Sequence, residues 1–307
     1  MSSILSNVAA MTALKTLQAT NRALEVTQAR ISTGYAVAEA SDNAAYWSIA
    51  TTMRSDNTAL STVTDALGLG AAKVDVAYTA MTTAIEVVGE IKSKLVASRE
   101  PGVDRSKIQS EINQLQNQLV SISKSASFSG ENWLSVDSSA ATYTPMKHIV
   151  ESFTRVNDGS VSVSTITVDI NKTKLFDAAD QSGLLDSVFT TTGGGAVTVS
   201  VSTLDVTAAG VDETDLDQMI TFVDTVFQGM TKSASNLGAY TKRIDTQSSF
   251  VSNLMDAIDR GIGQLVDADM NEESTRLQAL QVQQQLGVQA LSIANANAQT
   301  IMSLFKS

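Results

Sequence analysis

The sequence predicts a mainly α-helical protein in which N- and C-terminal arms form a long antiparallel coiled-coil rod, with a small β-containing central insertion. Three observations lead to this fold class. Apolar residues recur with alternating spacings of four and three over residues 49–95 and again over 108–122, which is the period of helices that pack along one seam. Residues 134–212 are instead rich in Ser, Thr, Val, Asp and Gly. The helical period returns from about residue 215.

The first two long helices of the rod are predicted on either side of Pro101-Gly102, which ends the first of them. Asp104 is a suitable N-cap for the second helix. Because the connection is short, we expect the two helices to be antiparallel. The predicted seam residues are Leu60, Val63, Leu67, Val74, Met81, Val88, Leu95, Ile108, Ile112, Leu115, Leu119 and Ile122.

The central insertion has two stretches in which apolar and polar residues alternate, as they do in a strand. These are residues 161–170 and 197–201. The three glycines at 193–195 are interpreted as a turn, and Gly70, in the middle of the first helix, as a point of close packing or flexing.

The C-terminal arm carries apolar residues on one helical face at Ile244, Val251, Leu254, Ile258, Ile262 and Leu265. Asp269 and Glu272 have the spacing of a capping box, which predicts a new helix start. The acidic pairs Asp215/Asp217 and Glu272/Glu273 are expected to be solvated residues at helix starts.

The two ends of the chain are almost free of charge. Residues 277–305 contain no charged side chain, and the first charge of the N-terminal segment is Lys15. Helices of this kind are too polar for lipid and have little reason to face water, so we predict that they assemble with copies of themselves. Pairing within one monomer is the alternative. The predicted interface residues are Ile4, Met11, Leu17, Leu24, Ile31, Leu277, Leu280, Val288, Leu291, Ile301 and Leu304.

Charge and composition exclude several classes of protein. Lys and Arg total 21 against 32 Asp and Glu, so the formal net charge is −11. An acidic chain without a basic stripe is a poor candidate for binding nucleic acid or an anionic membrane. The absence of cysteine excludes disulfides and thiolate metal sites. We expect no transmembrane helix and no cleaved secretory signal, so export would use a route that needs no cleaved signal of that kind.

No catalytic constellation is evident, and we predict that the protein is not an enzyme and uses no cofactor or metal. His148 is the single histidine, and no G-x-S-x-G or H-E-x-x-H motif is present. The glycines near residue 70 and at 193–195 fit neither a dinucleotide-binding nor a Walker pattern.

Several motifs resemble those of the bacterial flagellins. Residues 30–50 read R-I-S-T-G-Y-A-V-A-E-A-S-D-N-A-A-Y-W-S-I-A, similar to the family's N-terminal signature R-L-S-S-G-x-R-I-N-S-A-x-D-D-A-A-G-x-x-I. The segments at 108–112 and 128–130 resemble the family's I-Q-x-E-I and F-N-G. Toward the C-terminus, the family's motifs are matched by Leu237–Ala239, Asp267–Asp269 with Glu272, and Gln289–Leu291 with Leu304.

This resemblance implies a subunit that self-assembles into the flagellar filament for swimming motility. It implies an inner D0 domain (1–35 and 267–307), a coiled-coil D1 rod with a β-hairpin (41–185 and 213–266) and a short variable outer segment (186–212). The implied partners are further copies of the chain, sister flagellins, the flagellar type III export apparatus, an export chaperone, and the filament cap and hook-junction proteins. The implied location is extracellular, in the flagellum.

Two alternatives stay open at this point. A hook–filament junction protein would share the same terminal helices but would not propagate a filament. A binding module such as an adhesin would use the Ser/Thr-rich insertion. The chain also departs from the family signature, with Ala36 in place of the usual Arg and the bulky Tyr46 and Trp47 in place of Gly and an aliphatic residue.

Overall fold

The computed structural model describes residues 7–156 and 159–306, with side chains through residue 296. The prediction of a mainly helical fold with a small β region is confirmed. Most of the described chain lies in helices α1 (Val8–Thr33), α2 (Ala44–Ala97), α3 (Arg105–Ser125), α4 (Glu213–Val266) and α5 (Met270–Lys306).

The strands all lie between α3 and α4. They are β1 (Ser127–Phe128), β2 (Glu131–Asn132), β3 (Ser135–Val136), β4 (Met146–Arg155), β5 (Val161–Asp169), β6 (Phe176–Asp177), β7 (Phe189–Thr190) and β8 (Thr198–Val199). Antiparallel pairs form between β1 and β2, β4 and β5, and β7 and β8, whereas β3 and β6 are parallel. The alternation at 161–170 is therefore a strand as predicted, while the stretch at 197–201 provides only the two residues of β8.

The predicted helix starts are confirmed at two caps. The Asp104 side chain accepts the backbone N–H of Ser106 at 3.1 Å, and Asp269 accepts those of Asn271 and Glu272 at 2.8 and 3.3 Å. Each bond satisfies a donor that the first turn of a helix leaves without an intrahelical partner.

The expectation that the acidic residues at helix starts are solvated is wrong for two of them. Asp215 is fully buried and Glu273 is 5% exposed. The carboxylate of Asp215 accepts N–H groups from the glycine loop at 193–195, and Glu273 pairs with Arg30. Buried carboxylates persist where such partners replace water, and both sets of partners are distant in sequence.

The chain divides into two compact units, one of residues Met1–Thr58 with Met255–Ser307 and one of Ala59–Leu254. In the first unit, a small core forms around Val37, Ala50, Ile262 and Val266. The turn after α1 is tied to the turn before α5, because Ala36 donates its N–H to Val266 O at 2.7 Å and Ala268 donates to Gly34 O at 2.9 Å. Gly34 adopts a φ of 78° there, which a glycine permits without strain.

In the second unit, α2 and α4 run antiparallel. Lys92 pairs with Asp224, and Thr241 donates to Asp75, so positions rise along α2 as they fall along α4. The Lys92 ammonium is also the main cause that lowers the pKa of Asp224. A third helix, α3, contacts α2 through the ion pair between Lys94 and Glu111.

The hairpin of β4 and β5 packs on α2 where that helix has Gly70. Ile149 of β4 is 5% exposed, and a Cβ added at Gly70 would overlap its Cγ2 atom. Gly70 therefore permits close packing between the helix and the hairpin.

In the described part of the chain, no helix is long and apolar enough to cross a membrane. Within the same residues, no cluster of three or more His, Asp or Glu side chains is placed to hold a metal ion.

Candidate subunit interface

The two charge-poor ends of the chain pack against each other as α1 and α5. Three polar contacts follow the pair: Asn7 Nδ2 donates to Ala294 O at 2.9 Å, Gln284 Nε2 to Asn21 Oδ1 at 2.8 Å, and Arg30 Nη1 to Glu273 Oε1 at 3.0 Å. Positions fall along α5 as they rise along α1, so the helices are antiparallel. Pairing within the monomer, the alternative kept open above, is therefore present.

Small residues bring the two helices together. A Cβ added at Gly287 would lie 3.2 Å from Leu17 Cδ1, and Thr20 and Thr27 are buried on the same side of α1. The Thr20 hydroxyl is satisfied by Thr16 O at 3.0 Å. Beside this contact lies an open groove of about 630 Å³, lined by Val8, Ala9, Thr12, Ala13, Thr16, Gly287, Ala290 and Ala294.

The predicted interface residues fall into three groups. Met11 and Val288 are 52% and 53% exposed. The others with described side chains are half-buried between α1 and α5: Leu17, Leu24, Ile31, Leu277, Leu280 and Leu291. Ile4 and the side chains of Ile301 and Leu304 lie outside the described residues.

Pairing leaves much apolar surface exposed on the two helices. Large apolar side chains that are about half exposed or more are Val8, Met11, Leu14, Val26, Val282, Leu286, Val288 and Ile293. Several large exposed apolar side chains on one pair of helices are typical of interaction sites in soluble proteins. Six of these residues, three on each helix, were not among the predicted interface residues: Val8, Leu14, Val26, Val282, Leu286 and Ile293.

The predicted seam residues lie in the second unit. All seven on α2, from Leu60 to Leu95, are buried, as are Ile108, Ile112 and Leu119 on α3. Leu115 and Ile122 are half-buried.

The period analysis missed two buried glutamines on α3. Gln109 Nε2 donates to Leu204 O at 3.0 Å and its Oε1 accepts the N–H of Val206 at 2.8 Å. Gln116 donates to Val201 O and Leu204 O at 3.0 and 3.1 Å. The two side chains hold residues 201–206 against the helix. The two glutamines are seven residues apart and therefore lie on one helical face. This spacing is the sequence signal that could have identified them.

Comparison with known families identifies this arrangement. Residues 4–139 match the model of the bacterial flagellin N-terminal helical region, and residues 220–305 match the bacterial flagellin C-terminal helical region. The chain belongs to the bacterial flagellins. The two matched regions of this flagellin contain α1 to α3 and most of α4 and α5.

Relatives along the whole length support the assignment. Flagellin C of Rhizobium meliloti is 55% identical over 322 aligned positions, and Flagellin A of the same species is 44% identical over 397. A flagellin of Brucella melitensis biotype 1 is 44% identical over 308. In all three, the alignment covers 100% of both chains.

The family establishes the function. This flagellin is a structural subunit of the bacterial flagellar filament, it serves motility and it is located in the flagellum. It is not an enzyme. The predicted family, fold class and function are confirmed.

Proposed function

We propose that α1 and α5 form the inner D0 domain of the filament, residues 1–35 with 267–307, and that their exposed apolar side chains form the interface between subunits. Residues 41–185 with 213–266 form the D1 rod with its β-hairpin in this proposal. Residues 186–212 form the short variable outer segment.

The observation that carries the proposal is the apolar surface left on the paired helices. Val8 is 64% exposed and Ile293 is 61% exposed, and α5 has no charged side chain between Arg276 and Lys306. Burying such surface stabilises an assembly by about 25 cal/mol per Å². Because residues 277–305 of α5 carry no charge, their burial carries little desolvation cost.

The two groups of interface residues have different roles in this proposal. The half-buried residues, such as Leu17 and Leu291, hold α1 to α5 within one subunit. The exposed residues, such as Met11 and Val288, contact neighbouring subunits. The groove of small residues near Gly287 provides room for a side chain from such a neighbour.

The greater length of one relative supports a short outer segment. The alignment with Flagellin A of Rhizobium meliloti spans 397 positions, whereas this chain has 307 residues. About 90 aligned positions therefore have no counterpart here.

The specific binding partners of this flagellin belong to the same proposal. They are sister flagellins, the flagellar type III export apparatus, an export chaperone, the filament cap and the hook-junction proteins. Membership of the flagellin family supports them. Mixed growth from seeds of a sister flagellin, scored by labelling each subunit, tests the first of these partners.

Seeded assembly tests the interface. Purified monomer is added to short sheared filaments in moderate salt, and growth is followed by negative-stain electron microscopy. Met11→Ser and Val288→Ser are expected to slow elongation on the order of tenfold, because each exposes a hydroxyl where apolar burial is needed. Val103→Ser is the matched control, since Val103 is 40% exposed but lies outside D0.

The outcomes separate the alternatives. Long filaments from the wild type and poor growth of the two D0 variants support the proposal. Elongation of both D0 variants at the rate of Val103→Ser would remove these residues from the interface. Short plugs that stop growth would indicate a junction-type role instead.

A further inference from the structure

The first turn of α2 extends beyond the core that covers the next part of its apolar face. Ala50 is 1% exposed and belongs to the small core of the first unit, and Met53 packs against that core. Tyr46 lies one turn before Ala50 on the same face of the helix, yet it is 46% exposed. The cover of this face therefore ends between residues 46 and 50.

Two further large side chains are exposed beside Tyr46. Trp47 is 36% exposed and Ile49 is 49% exposed, and every residue from 44 to 49 is exposed. By helical geometry, the three side chains lie within one half of the helix surface. Together they present on the order of 300 Å² to solvent, a size of patch that is often functional on a single subunit.

This exposed turn is a well-formed helix start. The Asn43 side-chain oxygen accepts the backbone N–H groups of Ala45 and Tyr46, both at 3.2 Å, and the Asn43 carbonyl accepts the N–H of Trp47 at 2.9 Å. These bonds satisfy donors that the first turn of a helix leaves without an intrahelical partner. The aromatic side chains are thus held on an ordered backbone, which reduces the entropy lost when they are covered.

The chemistry of this face indicates the kind of partner that covers it. Residues 43–53 contain no charged side chain, whereas binding to nucleic acid or to an anionic membrane uses cations. Tyrosine and tryptophan are enriched at the centres of protein–protein interfaces, where charged residues are depleted. The face therefore fits an apolar protein surface.

We propose that Tyr46, Trp47 and Ile49 form a further contact surface between subunits, which another copy of this chain covers in the filament. The chain is a subunit of the flagellar filament, so other copies surround it, and a second copy is the partner that the established function supplies. The surface lies at the start of α2, outside α1 and α5. It is therefore independent of the D0 interface proposed above.

Tryptophan fluorescence of wild-type filaments tests the contact. The chain has two tryptophans, and Trp133 is only 4% exposed, so acrylamide quenching of the monomer reports mainly on Trp47. Native filaments are compared with the monomer released from them. We expect the quenching constant to fall on the order of threefold on assembly, with emission at shorter wavelength, because a packed interface excludes water. Trp47→Phe should remove this difference between filament and monomer.

A pair of lysine variants tests the same face by assembly. Tyr46→Lys and Ser48→Lys add the same charge to one turn of the helix, but Ser48 points about 160° away from Ala50. Tyr46→Lys is expected to raise the monomer concentration needed for filament growth on the order of tenfold, because an unpaired ammonium is costly to bury. Ser48→Lys should change it by less than about twofold. Both monomers should keep their melting temperature, since both positions are exposed.

Two results would overturn the proposal. One is a filament in which Trp47 stays as accessible to acrylamide as it is in the monomer, which would leave the face free for a partner other than a second copy. The other is equal growth of the two lysine variants. Neither result bears on the D0 interface, which Met11→Ser and Val288→Ser test separately.

Discussion

Gly193 lies directly against Asp215: its backbone N–H donates to Asp215 Oδ1 at 2.9 Å, and a Cβ at Gly193 would overlap the same carboxylate. Gly195 donates to the other oxygen at 2.9 Å, and Gly194 donates to Asp212 Oδ2 at 2.9 Å. The glycine loop thus encloses the carboxylates at the start of α4. The loop is a turn, as its sequence indicated. Its glycines are required because the loop backbone lies so close to the carboxylates.

Gly193→Ala is expected to destabilise the second unit by about 1–3 kcal/mol, because the new methyl group displaces the Asp215 carboxylate from its donors. Urea denaturation of the monomer measures the change. Gly229→Ala is the control, since its Cβ would meet Leu184 Cδ2 at an ordinary 3.4 Å. Equal stabilities of the two variants would argue against the enclosure.

The Asp215 interactions predict a pH dependence. Hydrogen bonding, above all from Thr191 and then from the loop backbone, lowers the pKa of Asp215 from 3.8 to about 2. A carboxyl whose pKa is lowered in the folded state stabilises the protein at pH values above its ordinary pKa. This contribution is lost as the pH falls from about 4 to about 2.

Asp215→Asn removes that titration. We expect the stability difference between wild type and variant to shrink as pH is lowered through this window, measured by thermal denaturation of both monomers. A difference that stays constant from pH 5 to pH 2 would assign the acid sensitivity to other carboxylates.

Gly70→Ala is expected to cost about 1–3 kcal/mol, because the helix must move away from Ile149. Ile149→Ala in the same chain should recover part of this loss, giving a coupling energy of about 1 kcal/mol or more in a double-mutant cycle. Gly68→Ala is the control on the same helix, since no atom lies within 4 Å of its added Cβ. Additive effects of the two substitutions would contradict the contact.

Glu273→Gln is expected to loosen α1 from α5. The Glu273 side chain is 6% exposed and accepts from Arg30 at 3.0 Å and from Arg276 at 3.4 Å. Losing the charge leaves the arginines with a weaker acceptor, at a cost of about 1–3 kcal/mol. Hydrogen exchange of amides in the last turns of α1 should accelerate. Glu272→Gln, whose side chain is 69% exposed, should leave that exchange unchanged.

Salt is expected to speed elongation of the filament. Each subunit carries a net charge of −11, so approaching subunits repel one another, and the screening length falls to about 10 Å at 0.1 M salt. Light scattering of seeded monomer at roughly 0.01 to 0.1 M NaCl measures the rate. Growth that is independent of salt would show that repulsion between the net charges of the subunits does not limit elongation.

Local patterns in the sequence were sufficient for the helices and their starts. The 4-3 spacing identified the buried α2 seam from Leu60 to Leu95, because a heptad repeat reflects contacts along one face of a single helix. Asp104 and Asp269 marked helix starts because a cap bonds within three residues of itself. The motifs at 30–50 and near both ends indicated the flagellin family.

The tertiary structure decided the features that depend on residues distant in sequence. Period alone did not separate Met11, which is exposed, from Leu17, which is half-buried against α5. It also did not reveal that Asp215 and Glu273 are buried, since their partners are about 20 and about 240 residues away. The spacing of apolar residues in the sequence shows which side chains share a helical face. Which other part of the chain covers that face depends on the tertiary fold.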